Sequence, residues 1–284
     1  MTPTLVRQSV RHAGRMPRVD RRARARDWSE IQERMLVPLY EAVYERLDVG
    51  SGTRLLALGC GSGLALLMAA SRGAVVTGVD TCPERLDLAR QRLLPQPGDT
   101  RARADARIVD GSPEDAAGAE TPAYTLVTAF EPIGCLAGDS EGLGGLLAAA
   151  TPLAEHGAAV VLAGWGPPER CATSSVLRVA TKLADPTRSP GNWRPALRDD
   201  LEEVAQRAGL RPDGSGRVSC PFGYADLDSA VRGLLSTGLF DAAVAATERS
   251  QVEKELTEAL HGHQRQDGTV WMPNVFRYLI ARTT

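Results

Sequence analysis

One segment, residues 54–80, constrains the fold of this 284-residue chain more than any other. It opens with a continuous apolar run at 55–58 and then has glycine at three alternate positions. An apolar helical pattern follows at 64–70, and a second apolar run at 74–79 ends in Asp80. Glycine tolerates left-handed backbone conformations, so the pattern predicts a buried strand, a tight turn, a helix and a second strand. The glycines are Gly59, Gly61 and Gly63.

The rest of the chain continues this alternation of strands and helices. Further strands are predicted at 106–109, 124–128, 158–162, 218–220 and 276–281. A helix is predicted over 197–208, ended by Gly209. Such alternation favours right-handed crossovers and a parallel, doubly wound α/β sheet with helices on both faces.

The sequence also predicts how the chain is divided. Residues 1–26 are expected to form a basic flexible tail. Residues 27–50 are expected to form N-terminal lid helices, with Pro38 dividing two helices. The cofactor-binding α/β core is assigned to 51–222 and 268–284, and 223–267 to a helical lid insertion without a strand.

Composition narrows the class of protein. Hydrophobic residues make up 43% and charged residues 24%, as in ordinary globular proteins. No apolar run approaches the roughly 20 residues that span a bilayer, so no membrane partner is expected. Five widely spaced cysteines without a C-x-x-C pair favour a reducing cytoplasm over a disulfide framework or a metal site.

Charge is unevenly distributed along the chain. The first 26 residues contain eight arginines and a single acid, Asp20. Such a start is compatible with nucleic-acid binding or an organelle transit segment. It lacks the aromatic residues on which bases stack, so we interpret it as a solvated tail and expect no nucleic-acid partner.

The glycine turn predicts the chemistry of a ligand site. Its backbone amides can approach a ligand closely, and the helix that follows favours negative charge. Asp80 would lie at the tip of the neighbouring strand, where a carboxylate can accept the hydroxyls of a ribose. The crevice is expected at the carboxyl ends of the first and fourth strands. Because position 64 is leucine, the spacing departs from the G-x-G-x-x-G of nicotinamide sites.

With these residues in view, RLLALGCGSGLALLMAASRGAVVTGVD resembles the class I S-adenosylmethionine-dependent methyltransferases, specifically the small-molecule type abundant in actinomycetes. DWSEIQERMLVPLYEAVYERL, PFGYADLDSAVRGLLSTG and NVFRYLIAR extend the resemblance from about residue 27 to the end. It implies a Rossmann-like seven-stranded methyltransferase sheet with N-terminal helices and a helical lid. It also implies S-adenosylmethionine as cofactor and S-adenosylhomocysteine as product.

The resemblance further implies a set of cofactor contacts. It places the methionine end against the glycine turn, the ribose on Asp80, and the adenine near the ends of the third and fourth strands. For Asp110, a turn or cap residue before Pro113 is the alternative. The implied cofactor-binding residues are Gly59, Cys60, Gly61, Gly63, Asp80, Thr81, Asp110, Gly111, Ser112 and Phe130.

Two departures from the family pattern bear on function. Relatives usually carry an acid two residues before the first glycine, where this chain has Ala57. Loss of such a charge-assisted contact would cost about 1.5–3 kcal/mol of binding. The stretch 130–135 also lacks the polar amides of close relatives. It is not the Asp/Asn-Pro-Pro-aromatic signature of enzymes that methylate exocyclic amines in nucleic acid.

Candidates for catalysis are few. Glu131, at the tip of the fourth strand, is placed to act as a base or to orient a substrate, and a surface carboxylate is the alternative. His261 and His263 have no evident third ligand, so no metal is expected. Four residues are predicted to line the substrate pocket, with core packing as their alternative: Trp28, Gln32, Tyr40 and Trp193.

The leading interpretation is methyl transfer to an oxygen or carbon nucleophile of a small-molecule specialised metabolite. The alternative, motivated by Ala57 and by 130–135, is a cyclase or pericyclase of methyltransferase fold that uses the cofactor structurally or not at all. A cofactor sensor without catalysis is a third possibility. The sequence does not determine the acceptor or the oligomeric state.

Overall fold

A computed structural model describes residues 20–94, 106–118, 123–134, 139–184 and 200–284 of the chain. Its helices are α1 Arg21–Asp27, α2 Val37–Arg46, α3 Leu64–Ser71, α4 Pro83–Leu93, α5 Asp139–Ala150, α6 Thr173–Ala184, α7 Asp200–Arg207, α8 Leu227–Ser236, α9 Asp241–Ala246 and α10 Arg249–Leu260. Its strands are β1 Arg54–Leu58, β2 Val75–Asp80, β3 Ala106–Asp110, β4 Tyr124–Ile133, β5 Ala154–Trp165, β6 Arg211–Ser219, β7 Phe222–Tyr224, β8 Val270–Met272 and β9 Val275–Arg282.

Seven strands form the main sheet in the order β3-β2-β1-β4-β5-β9-β6. The first five are parallel to one another, and the chain winds in opposite directions from β1, towards β2 on one side and β4 on the other. Side-by-side β1 and β4 therefore leave a crevice at their carboxyl ends. This confirms the predicted doubly wound, seven-stranded sheet and the position of its crevice.

The sheet differs from the expected parallel pattern at one edge. Strand β9 is antiparallel to both β5 and β6. Helices α8 to α10 and the separate β7-β8 pair lie between β6 and β9 along the chain, and β9 returns to the main sheet between β5 and β6. Strand β6 also begins at Arg211, earlier than the predicted 218, because its polar first half gives no apolar pattern to detect.

Helices cover both faces of the sheet. Successive residues of β1 belong alternately to two apolar clusters, with Leu55 and Ala57 in one and Leu56 and Leu58 in the other. This is the period of two expected for a strand buried on both faces. Among the described residues, no helix is both long and apolar enough to cross a membrane.

The prediction that residues 1–26 form a flexible tail is wrong for the last six of them, which are helical. Helix α1 begins at Arg21, because the Asp20 carboxylate caps it by accepting from the N–H groups of Arg22 and Ala23. Ala25 is buried, and Arg24 pairs with Asp241 at 3.0 Å. The predicted tail before residue 20 lies outside the described residues.

Pro38 does not divide two helices. It lies in the first turn of α2, where its missing N–H costs no hydrogen bond. The helical path instead changes earlier, through a π-helical turn at Trp28–Gln32 and a 3₁₀ turn at Glu33–Leu36. Together these two turns lay the segment 28–36 over the glycine turn.

The predicted insertion 223–267 is helical and contains α8 to α10. Strand β7 overlaps its first two residues, and β7 pairs antiparallel with β8, which lies beyond its predicted end. Each is only three residues long, too short for an alternating pattern to be recognised in sequence. Helices α9 and α10 pack against α6, and α8 packs against α1 and the Trp28–Gln32 turn.

Candidate functional site

The glycine turn joins β1 to α3 at the carboxyl edge of the sheet. Gly59, Gly61 and Gly63 all have positive φ angles, of +63°, +57° and +81°. A Cβ atom on Gly63 would lie 3.0 Å from the Cβ of Ala89, too close for an unstrained contact. The Cys60 N–H donates to the Val79 carbonyl at 3.0 Å, which ties the turn to β2. The tight turn predicted from the sequence is therefore required by both backbone conformation and packing.

Asp80 ends β2 and fastens the same turn from the other side. One carboxylate oxygen accepts from the Gly61 N–H at 2.8 Å, and the other accepts from the Cys82 N–H at 2.9 Å. A carboxylate oxygen has two acceptor sites, so each can still accept from a ligand hydroxyl. Asp80 is thus positioned both to hold the turn and to bind a diol.

The larger cavity, about 450 Å³, lies beside Asp80 at the ends of β1 and β2. Its volume is within the range of small-molecule binding sites. Helices α1 and α4 and the turn after β3 provide other parts of its wall. Lining residues include Arg21, Ala25, Gly59, Asp80, Thr81, Arg85, Gly111, Glu131 and Leu146.

A smaller cavity, about 30 Å³, adjoins the larger one. Gly59, Arg85 and Glu131 line both cavities, and we call this shared boundary the passage. The smaller cavity is enclosed by the segment 28–40 and by the ends of β1 and β4. Its other lining residues include Trp28, Glu33, Tyr40, Cys60, Gly61, Ala57, Thr128 and Phe130.

Glu33 brings an acid to the glycine turn from the N-terminal segment. One of its carboxylate oxygens accepts from the N–H groups of Ser62 and Leu64 at 3.2 and 3.3 Å. The other accepts from Arg92 at 2.9 Å and from the Ser62 hydroxyl. Since Leu64 is the first residue of α3, the carboxylate lies at the positive end of that helix. Glu33 therefore gives the glycine turn an acidic partner, although the usual position for an acid on β1 is occupied by Ala57.

Glu131 projects into the cleft at the carboxyl end of β4. Its side chain is exposed to the open cleft, whose walls surround the carboxyl group. This partial desolvation raises the pKa of the carboxyl group, and the opposing effect of nearby Arg85 is smaller. The Arg85 guanidinium lies 4.2 Å from the Trp28 ring centroid and donates to the Ser236 carbonyl at 3.0 Å. Glu131 is thus a solvent-accessible carboxyl group with a raised pKa.

The structure brings most of the predicted site residues together. Those lining one cavity or both are Trp28, Tyr40, Gly59, Cys60, Gly61, Asp80, Thr81, Gly111, Phe130 and Glu131. Phe130 packs against Tyr40 with ring centroids 4.9 Å apart. Burial raises the pKa of the Tyr40 phenol and of the Cys60 thiol, which keeps both neutral.

Other predicted residues lie away from the cavity walls. Gln32 is buried and accepts from the Tyr224 hydroxyl at 2.9 Å, which makes it a packing contact rather than a pocket residue. Ser112 forms a capping box with Asp115 at the turn Pro113–Ala116. Asp110 is exposed at the end of β3. Gly63 belongs to the turn and packs against Ala89 of α4. Trp193 lies outside the described residues.

Sequence reasoning missed Glu33, Arg85 and Thr128. The Thr128 hydroxyl interrupts the apolar run of β4, and this interruption was a detectable signal. Nothing local distinguishes Glu33 or Arg85, because their partners are distant in sequence. In the described part of the chain, no group of three or more histidine, cysteine or acidic side chains is placed to hold a metal ion.

Comparison with known proteins agrees with this geometry. Residues 56–131 match a family described as "Methyltransferase domain". The chain is 34% identical over 89 residues to the ubiquinone biosynthesis O-methyltransferase of Vibrio campbellii, covering 31% of this chain and 35% of that protein. The corresponding protein of Xanthomonas oryzae pv. oryzae is 37% identical over 89 residues, covering 31% and 34%. The chain thus matches about a third of the length of these curated relatives.

Solved structures extend the likeness to nearly the whole chain. An S-adenosylmethionine-dependent methyltransferase from Thiobacillus denitrificans, in complex with S-adenosyl-L-homocysteine, has a TM-score of 0.52 at 17% identity and covers 94% of this chain and 99% of its own. One from Geobacter sulfurreducens, with the same ligand, has a TM-score of 0.52 at 17% identity and covers 92% and 98%. Residues 56–131 thus match a methyltransferase domain, and the chain shares the fold of these S-adenosylmethionine-dependent methyltransferases.

Proposed function

We propose that this protein transfers a methyl group from S-adenosylmethionine to an oxygen or carbon nucleophile of a small-molecule acceptor. One observation carries the proposal: the larger cavity opens between the glycine turn and Asp80, inside the matched segment 56–131. A cavity of about 450 Å³ suits a nucleoside and part of an acceptor.

The residues present fit the cofactor. Asp80 retains acceptor sites for two ribose hydroxyls, as worked out above. Gly59 lies between the two cavities, and its φ of +63° is one that favours glycine. Two buried donors that line the smaller cavity, the Trp28 indole N–H and the Thr128 hydroxyl, have no hydrogen-bond partner among the described residues. These features are those expected of walls that hold an elongated polar ligand.

The cofactor supplies an electrophilic methyl group on a sulfonium. The protein's share is to align the acceptor with that methyl group, to exclude water and to remove a proton where the acceptor carries one. Glu131 lies at the passage between the cavities, where a carboxylate can accept a hydroxyl proton from an acceptor. Its raised pKa makes it a stronger base when ionised. The Arg85 guanidinium opposes this rise in pKa and so favours the ionised form.

The type of acceptor is inferred from two considerations. The curated relatives are named as O-methyltransferases, which supports an oxygen nucleophile. The passage at Gly59 and Glu131 lies inside the cleft, beneath α1 and the segment 28–36, which favours a small molecule over a polymer. In its most specific form, the proposal names a specialised metabolite of the kind methylated in actinomycetes as the acceptor.

The alternative is a cyclase or pericyclase that uses the cofactor structurally or not at all, motivated by Ala57 and by the stretch 130–135. Ala57 is indeed buried against the smaller cavity and offers no charge. Glu33 nevertheless places a carboxylate on the same glycine turn. This acidic partner for the turn supports retention of cofactor binding and argues against a cyclase that lacks the cofactor. A cyclase that uses the cofactor structurally is separated from methyl transfer by the turnover experiment.

Calorimetric titration with S-adenosylmethionine and S-adenosylhomocysteine tests the cofactor. Wild-type protein should bind in the micromolar range, and Asp80→Ala should abolish binding. Asp87→Ala is the matched control, because Asp87 is an exposed acid on α4 that pairs with Arg90, one turn along the same helix. Absence of wild-type binding at millimolar cofactor would overturn the proposal.

Turnover separates the two enzymatic functions. Purified protein would be incubated with S-adenosylmethionine and a panel of phenolic and enolisable acceptors, and S-adenosylhomocysteine would be quantified. Methyl transfer predicts that S-adenosylhomocysteine accumulates one for one with product. Conversion of an acceptor without S-adenosylhomocysteine would instead support a cyclase. Glu131→Gln should lower kcat by about 10²–10⁴ for a hydroxyl acceptor.

A further inference from the structure

Three buried polar side-chain atoms in the described residues have no hydrogen-bond partner: Trp28 Nε1, Tyr124 Oη and Thr128 Oγ1. Buried polar groups are nearly always paired, so each unpaired group requires an explanation. Tyr124 lies at the opposite end of β4 from the site and lines neither cavity. Trp28 and Thr128 both line the smaller cavity. Two of the three unpaired groups are therefore at the candidate site.

The chemistry of these two groups restricts the ligand that would satisfy them. An indole N–H can only donate a hydrogen bond, and a threonine hydroxyl can donate one. The indole N–H therefore requires a ligand acceptor, and a single ligand group that accepts from both donors must offer at least two lone pairs. A carboxylate, with two oxygens and a negative charge, meets this requirement and makes the stronger, charge-assisted bonds.

The two donors reach the cavity from different parts of the fold. Thr128 is fully buried on β4 and pairs in register with Ala57 on β1. The small alanine side chain leaves room beside the hydroxyl that a longer side chain would fill. Trp28 comes from the N-terminal segment, and its Nε1 lies 3.1 Å from the position of a Cβ on Gly61. The indole N–H is therefore held directly over the glycine turn.

Glu33 explains why Trp28 is held there. Its carboxylate lies 3.1 Å from the same Cβ position on Gly61 and is fastened to the turn by Ser62, Leu64 and Arg92. With these bonds formed, all four acceptor sites of the Glu33 carboxylate are used. Glu33 is therefore a positioning residue for the segment that carries Trp28.

We propose that Trp28 Nε1 and Thr128 Oγ1 together bind the carboxylate at the amino-acid end of the cofactor. This inference rests on the proposed function, since it assumes that the cofactor occupies the cleft. With the ribose on Asp80, the adenosine lies in the larger cavity, and the amino-acid end extends past Gly59 into the smaller one. The smaller cavity, about 30 Å³, has room for a carboxylate and little more.

The test compares two ligands that differ by this one group. S-adenosylmethionine and decarboxylated S-adenosylmethionine share the adenosine, the sulfonium and the amine, and only the first carries the carboxylate. Wild-type protein should bind S-adenosylmethionine at least tenfold more tightly in calorimetric titration. Thr128→Val and Trp28→Phe should each weaken S-adenosylmethionine about tenfold, the value of one charge-assisted hydrogen bond, and leave the decarboxylated ligand unchanged.

Tyr124→Phe is the matched control, because it removes the third unpaired polar group, a hydroxyl on the same strand as Thr128 but away from the cavities. It should alter the affinity for neither ligand. Thr128→Val is nearly isosteric and removes an unsatisfied group, so its thermal transition should not fall below that of wild type. This variant keeps the test decisive if Trp28→Phe folds poorly.

The outcomes separate the inference from the function on which it rests. If wild-type protein binds neither ligand, the proposed function fails and this inference fails with it. If wild-type protein binds both ligands equally, the cofactor site stands and the carboxylate contact is refuted. The contact is also refuted if Thr128→Val weakens both ligands by the same factor or neither of them.

Discussion

Substitution of Glu33 by glutamine tests whether this residue fastens the N-terminal segment to the glycine turn. The Glu33 side chain is 3% exposed and its partner Arg92 is 23% exposed. Glutamine keeps the shape but loses the charge, and its amide nitrogen must face two of the four donors. Removing one member of a buried ion pair costs about 3–5 kcal/mol. Because Arg92 can regain some hydration, we expect a loss near 2–4 kcal/mol.

The assay is urea denaturation, followed by thermal unfolding. At about 2 °C per kcal/mol for a chain of this size, Tm should fall by about 4–8 °C. Glu30→Gln is the matched control, since Glu30 lies in the same segment and is exposed. A double-mutant cycle with Arg92→Met should give a coupling energy above 1 kcal/mol. If Glu33→Gln stays within 0.5 kcal/mol of wild type, the segment is held by other contacts and the argument is refuted.

Two further predictions concern the turn and the candidate base. Gly63→Ala should destabilise the protein by about 2 kcal/mol or more in urea denaturation, because φ is +81° and Ala89 lies against the new methyl group. Gly144→Ala, in the open middle of α5, should instead stabilise it by up to about 1 kcal/mol, and equal effects would contradict the backbone argument. For Glu131, burial raises the folded-state pKa, so folding takes up a proton between the ordinary carboxyl pKa and the raised value. Wild-type stability should therefore fall as pH rises through that window, whereas Glu131→Gln should not show this fall. Parallel pH dependences of unfolding for the two proteins would refute the raised pKa.

Local patterns were sufficient to predict much of this fold. The apolar run before Gly59 and the run ending at Asp80 are continuous because their strands are buried on both faces, and such runs are detectable without knowledge of the partners. The order of strands and helices then restricts the topology, because crossovers are right-handed. Short or polar elements escaped prediction: β7 and β8 have three residues each, and β6 is half-exposed along its length.

The candidate site was only partly predictable for a related reason. Gly59, Gly61 and Asp80 belong to one contiguous motif, so their spacing in sequence already implies their proximity in space. Glu33 contacts Ser62 of the turn, 29 residues away along the chain. Arg92, which binds the Glu33 carboxylate, is 59 residues from Glu33. No periodicity links such positions.

The amino-acid sequence by itself determined the doubly wound sheet, the glycine turn and the carboxylate at the tip of β2, because each follows from interactions between near neighbours. Only the tertiary structure decided which acid serves the glycine turn. Ala57 stands where relatives carry that acid, so the local sequence offers no replacement. Folding of the segment 28–36 across the sheet nevertheless brings the Glu33 carboxylate to the turn. The physical reason is that a charge acts through distance in space, and the distance between Glu33 and the turn is set by packing of the whole domain.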